Sequence, residues 1–174
     1  MSNLFIDNVT EAQLTAALAW AADLRSGSYT QGAGALRRID GWCCLGLICE
    51  RSKIGHWEDG GHGTHDSYIY FTIEEGSVET MTESVQYPPH TVMETVGLRT
   101  HAGSFRLDED HPHRDDLYAF SMVMDTGKCT LAELNDAMNY DTVTDEVQSH
   151  RFPFDAIAEA IEYEVSLVRA QRAE

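Results

Sequence analysis

Residues 40–51, Asp-Gly-Trp-Cys-Cys-Leu-Gly-Leu-Ile-Cys-Glu-Arg, constrain this chain more than any other stretch. They are its densest apolar run and hold Cys43, Cys44 and Cys49, three of the four cysteines, beside Trp42. The run reads as a short buried helix over residues 43–51, with small and thiol side chains that allow close packing. Gly46 would let a neighbouring backbone approach. Such a block needs enough chain around it to keep water away. At 174 residues and 43% hydrophobic, the sequence fits one domain, residues 1–174, with a proper core.

The elements expected around the block follow from periodicity and caps. Thr10 and Gln13 form a capping-box pair, and Leu14, Ala17, Leu18, Ala21 and Leu24 then recur at helical spacing, so a helix is predicted over residues 11–25. The stretch 26–34, polar with three glycines, breaks both periods and reads as a loop. Residues 36–39 read as a short strand or turn, and residues 55–67, rich in Gly and His, as a second loop. Alternation places a strand at residues 68–73, with Ile69, Phe71 and Ile73 on one face. Pro88-Pro89 opens a helix over 90–96 that Gly97 closes, and residues 104–107 suggest another strand. Residues 117–124 fit helix or buried strand equally. Thr130 with Glu133 starts a helix running to about residue 138, residues 139–149 are polar, and Pro153 opens a long amphipathic helix to about residue 170. Helices at both ends around a short, mostly antiparallel strand region make the expected class α+β.

Charge removes several functions. The chain carries 29 Asp plus Glu against 12 Lys plus Arg, a formal net of −17. Such a field repels nucleic acid and anionic membranes, and favours solubility or a basic partner. No apolar run approaches the roughly 20 residues of a membrane span. The N-terminus lacks the basic and apolar regions of a signal peptide, so none is expected. Adjacent Cys43 and Cys44 do not suit a disulfide framework, and reduced thiols in a cytoplasm are the simpler expectation.

Three constellations invite chemistry, each with a plainer explanation. A thiol at Cys43 or Cys44 would be activated by a helix N-terminus and by Arg37 and Arg38 upstream. Yet Trp42, Leu45, Leu47 and Ile48 are core types, which argues that both cysteines fill a core. His62, His65 and Asp66, or His111 and His113 with Asp115 and Asp116, offer metal-ligand types, but the spacing is not that of a zinc site and solvated loops explain them; no metal or cofactor is expected. The 26–38 loop has the character of an anion nest. Tyr29, Gln31, Gly32, Gly34, Arg37 and Arg38 would line the binding site, with Cys43 or Cys44 at its floor. The acidic run with Asp108, Glu109, Asp110, Asp115 and Asp116 is expected to be exposed and to meet a basic surface.

The same blocks carry a resemblance. Trp20, the segment Leu24-Arg-Ser-Gly-Ser-Tyr-Thr-Gln-Gly-Ala-Gly-Ala-Leu36, and Trp42-Cys-Cys-Leu-Gly-Leu-Ile-Cys-Glu50 resemble a family of small proteins encoded by tailed bacteriophages. Leu134-Asn135-Asp136 and the segment 154–162 resemble its closing half, although the spacer between them, residues 137–153, is longer here and acidic. The resemblance implies a phage product in the cytoplasm of an infected bacterium and no particular reaction. The expected function is therefore a non-catalytic binding or inhibitory protein, an anti-defence candidate, acting on a host or phage partner. The alternatives are capture of a small anionic ligand such as a nucleotide signal by the 26–38 loop, and a Cys- or metal-dependent enzyme.

Overall fold

The computed structural model describes residues 4–59, 69–73, 86–106, 109–112, 128–136, 139–141, 146–148 and 153–173. The first helix, α1, spans Glu11–Arg25. Its start is fixed chemically: Thr10 is extended, its hydroxyl accepts from the Gln13 N–H at 3.2 Å, and the Gln13 side chain accepts from the Thr10 N–H at 2.7 Å. This reciprocal cap satisfies two of the N–H groups that a helix start leaves without partners. Leu14, Ala17, Trp20, Ala21 and Leu24 form the buried face. The last helix, α5 (Phe154–Arg172), buries Phe154, Ile157, Ala158, Ile161 and Val165. Pro153 caps it from just outside the helix, one place before its expected position.

The two long helices run antiparallel, because their ion pairs cross. Arg25, at the end of α1, meets Glu159 and Glu162 near the start of α5. Glu11, at the start of α1, meets Arg169 and Arg172 at the end of α5. Glu11, Arg25, Arg169 and Arg172 also suit the dipole of their own helix terminus. These are exposed pairs worth about 0–1 kcal/mol each, so the apolar faces supply the stability.

Short elements fill the space between. Strands β1 (Arg37–Arg38) and β2 (Gly41–Trp42) form a tight antiparallel hairpin with Arg37 opposite Trp42. Helix α2 (Cys44–Ser52) follows, then β3 (His56–Asp59), antiparallel to β4 (Ile69–Thr72). Helix α3 (His90–Val96) ends on Gly97 in the left-handed conformation, φ 69°. Strands β5 (Ser104–Arg106) and β6 (Lys128–Thr130) pair antiparallel, and α4 (Leu131–Asp136) opens on the reciprocal Thr130–Glu133 cap. Strands β7 (Asn139–Asp141) and β8 (Glu146–Gln148) form a last antiparallel pair. The class is α+β, with helices at both ends around short antiparallel strand pairs.

Two expectations change. The 55–67 loop gives up residues 56–59 to β3, because Trp57 packs edge-to-face on Phe71 of the opposing strand. The polar stretch 139–149 contains β7 and β8, a pairing that no apolar alternation in the sequence announces. The ambiguous stretch 117–124 lies outside the described residues, as do residues 137 and 138 at the expected end of α4.

The buried side chains form one cluster reaching from Leu4 to Val165, with α2 deep inside it. Leu45, Leu47, Ile48 and Cys49 are each 0–1% exposed. Fully burying a side chain of the Leu or Ile type contributes about 1.5–3 kcal/mol. Gly46 is required there: a Cβ would overlap the Leu36 carbonyl oxygen, so any side chain would push the two segments apart.

Candidate functional site

Cys44, the first residue of α2, is tied on every side. Its N–H donates to Asn135 Oδ1 at 3.1 Å, its carbonyl accepts from Trp20 Nε1 at 2.9 Å, and its thiol lies 3.4 Å from the Leu131 carbonyl oxygen. The residue before the helix, Cys43, has no side chain able to cap it. Asn135 supplies that cap from α4 instead. Its Oδ1 also accepts from Gln31 Nε2 at 3.3 Å, while its Nδ2 donates to the Gly32 carbonyl at 2.7 Å and to Asp136 Oδ1 at 2.8 Å. Two donors and two lone pairs are all an amide side chain has, and this one, fully buried, uses them all.

The 26–38 loop is drawn into the same node. The Gly32 N–H donates to the Trp42 carbonyl at 2.7 Å, the Trp42 N–H to the Thr30 carbonyl at 2.8 Å, and the Cys43 N–H to the Leu36 carbonyl at 3.0 Å. Gln31 thereby pairs beside β2. A Cβ on Gly32 would stand 2.8 Å from the Gly41 carbonyl carbon, so only glycine lets these backbones meet.

The residues expected to line one site therefore divide. Gln31, Gly32, Cys43 and Cys44 turn inward and serve the node. Gly32, Cys43 and Cys44 are buried, and the Gly32 N–H is already engaged and cannot cradle an anion. Gly34 is exposed at φ 76°, with nothing near the place of a Cβ. Arg38 lies 3.6 Å from Asp40. Tyr29 and Arg37 turn outward, onto a surface to which the sequence reading assigned no other residue.

That surface is an aromatic corner. Trp42 and Trp57 meet at 88° with centroids 5.3 Å apart, and Tyr29 meets Trp42 edge-on at 5.5 Å. The Arg37 guanidinium sits over both indoles, 4.4 Å from the Trp42 centroid and 5.5 Å from that of Trp57. Trp57 Nε1 donates to Glu50 Oε2 at 3.0 Å. Tyr29, Arg37, Trp42, Glu50 and Trp57 are all half-buried. At the tip of the hairpin, Ile39 is 85% exposed, and Ile54, just ahead of β3, is 43% exposed. Trp57 gives no sign in the sequence, because it falls in the Gly- and His-rich stretch that reads as a loop. Asn135 gives no local sign in the sequence of being buried or of capping α2.

The thiols are sealed. All four cysteines are unpaired and buried. Burial, then the neighbouring Cys43 thiol, pushes the Cys44 thiol well above its usual range. Burial likewise raises Cys49, and burial with the Glu133 charge moves Cys129 up to about 11. These three stay protonated near neutral pH, the form that is neither nucleophile nor metal ligand. Among the described residues no three His, Cys, Asp or Glu side chains are placed to hold a metal ion. His62, His65 and Asp66 lie outside the described residues, as do Asp108, His113, Asp115 and Asp116. Glu109 and Asp110 are exposed as expected, but His111 is not a solvated loop residue. It is 3% exposed, stacked on Phe105 at 5.5 Å and meeting Tyr163 edge-on at 5.0 Å, because its flat ring fills the gap between β5 and α5.

Among the described residues no helix is long and apolar enough to cross a membrane. No curated protein and no solved structure matches the chain. One family model matches residues 15–165, which include Trp20, Arg37, Trp42, Cys44, Trp57 and Asn135. The chain thus belongs to the family described as Domain of unknown function (DUF8296).

Proposed function

We propose that the chain is a non-catalytic binding protein, a tailed-phage product that engages and inhibits a basic host or phage partner in the cytoplasm of an infected bacterium. The observation that carries this is the hairpin face. Ile39 projects 85% exposed from the tip, and half-buried Tyr29, Arg37, Trp42 and Trp57 stand behind it. Trp, Tyr and Arg are the side chains that dominate binding energy at protein interfaces. The net charge of −17 draws a basic partner and speeds encounter. The phage origin rests on the likeness of the blocks around Tyr29, Cys43 and Asn135. The thiol enzyme is disfavoured because Cys44 is enclosed by Trp20, Leu131 and Asn135. The small-anion site is disfavoured because the Gly32 N–H is engaged and Arg38 lies beside Asp40.

The test is capture of a partner from bacterial lysate by the immobilised protein, identification by mass spectrometry, and titration of the purified partner. Exposed charges are screened over about 10 Å at 0.1 M salt. Affinity should therefore fall roughly tenfold or more, about 1.4 kcal/mol, between low and moderate salt. Ile39→Asp should weaken it by a similar factor, and neutral isosteres at Asp108, Glu109, Asp110, Asp115 and Asp116 should weaken it further. Binding indifferent to both salt and Ile39→Asp would exclude this reading.

A further inference from the structure

Seven described arginines are held in two different ways. Arg25, Arg38, Arg51, Arg99, Arg169 and Arg172 each have a carboxylate beside them. Arg37 has two indole faces, and among the described residues it donates no hydrogen bond and forms no ion pair. The groups around it are those that recognise a cation: perpendicular Trp42 and Trp57, Tyr29 on the edge of Trp42, and the Glu50 carboxylate on the Trp57 indole. A ring face carries negative potential, so a corner of such faces with a carboxylate alongside accepts guanidinium and ammonium groups.

We infer that Tyr29, Trp42, Glu50 and Trp57 form a cation-accepting corner, which Arg37 occupies in the free protein and yields to a cationic side chain of the partner. The inference deepens the binding reading, for it names the chemical group that the hairpin face takes. Three observations make the exchange feasible. Arg37 sits on a strand of two residues, and among the described residues no hydrogen bond retains its guanidinium. Replacing it by another cation leaves the charge balance of the corner unchanged, while Arg37 swings out into water. The net charge of −17 raises the local concentration of cations. Glu50 stays ionised throughout. Burial raises its pKa, but hydrogen bonds from Lys53 and Trp57 and the charges of Lys53 and Arg37 outweigh this and hold it below the usual carboxylate range.

The experiment uses choline chloride as the cation and dimethylbutanol, its uncharged carbon isostere, followed by the indole N–H resonances of the whole protein. The Trp42 and Trp57 signals should shift with choline, and that of buried Trp20 should stay still, which also reports that the chain is folded. Arg37→Ala should bind choline roughly tenfold more tightly than wild type, the factor expected of a removed competitor held by cation–π contact. Adding Glu50→Gln to that variant should weaken binding several-fold, and the isostere should bind neither protein appreciably. The wild-type protein gives a readout that needs no substitution: its Arg37 side-chain N–H should exchange faster with water as choline is added. Choline binding no tighter in Arg37→Ala, equal binding of the isostere, or an Arg37 signal indifferent to choline would each overturn the proposal. If the small-cation experiment fails while salt-sensitive capture of a partner persists, the corner is refuted and the binding reading stands. The reverse pattern refutes that reading alone.

Discussion

Two sides of one block differ in what they do with their polar groups. On the inner side, around Asn135 and Cys44, every donor and acceptor of the amide is matched, and nothing remains to offer a ligand. On the outer side, seven and five residues before Cys44 along the chain, Arg37 and Ile39 make few commitments: a guanidinium on indole faces and an apolar side chain in water. Both sides draw residues from the segment from Tyr29 to Cys49. The contrast teaches that a dense motif is not automatically a site. Its inward residues hold the fold, and that rigidity lets the outward ones be presented in a fixed geometry.

Substitutions should separate the sides, with the largest effects inside. Asn135→Ala leaves the Cys44 N–H and the Gly32 carbonyl buried without partners, and each such group costs about 1–3 kcal/mol. A loss of about 3 kcal/mol, or about 6–12 °C in Tm, should follow in thermal unfolding. A fall of only a degree or two would mean that water replaces the amide at no cost. Trp20→Phe keeps most of the apolar volume and removes the indole N–H that reaches the Cys44 carbonyl, so a smaller loss of about 1–2 kcal/mol is expected.

The sealed thiols add a pH dependence. Cys129 has its thiol pKa raised from 9.0 to about 11, so the folded chain keeps protons that the unfolded chain releases. Its contribution is complete below about pH 9 and is lost as pH rises to about 11, and Cys44 and Cys49 act in the same direction. Denaturant midpoints should fall across that window, and Cys129→Ala should flatten part of the fall. Equal midpoints at the two ends would contradict the burial. At neutral pH a thiol reagent should modify few or none of the four cysteines until denaturant is added.

The smallest stability effect belongs to the outer side. Ile39→Asp should change folding by less than about 0.5 kcal/mol, since it alters an exposed tip. A marked drop in Tm with partner capture intact would reverse the assignment of the two sides.

Much of the frame was legible where the signal is local. The Thr10–Gln13 and Thr130–Glu133 caps, the apolar spacing from Phe154 to Val165 and the Gly97 stop all act within a few residues, so sequence alone places α1, α3, α5 and the start of α4 to within about two residues. What was missed depends on distant partners. Strand β3 exists because Phe71 faces Trp57, and the burial of His111 depends on Phe105 and Tyr163. Gln31 and Gly32 look like exposed loop residues until Trp42 and Asn135 stand beside them. The candidate site was legible in part: Tyr29 and Arg37 were named, but Trp57 and Glu50 come to them from other elements.

Amide hydrogen exchange across residues 26–50 tests the division most directly. The Gly32, Trp42, Cys43 and Cys44 N–H groups, bonded to Trp42, Thr30, Leu36 and Asn135, should exchange only through global unfolding. Ile39 and Asp40 at the exposed tip should exchange at nearly unprotected rates. If Gly32 and Cys44 exchange as fast as the tip, the inner side is no brace, and the contrast between the two sides fails.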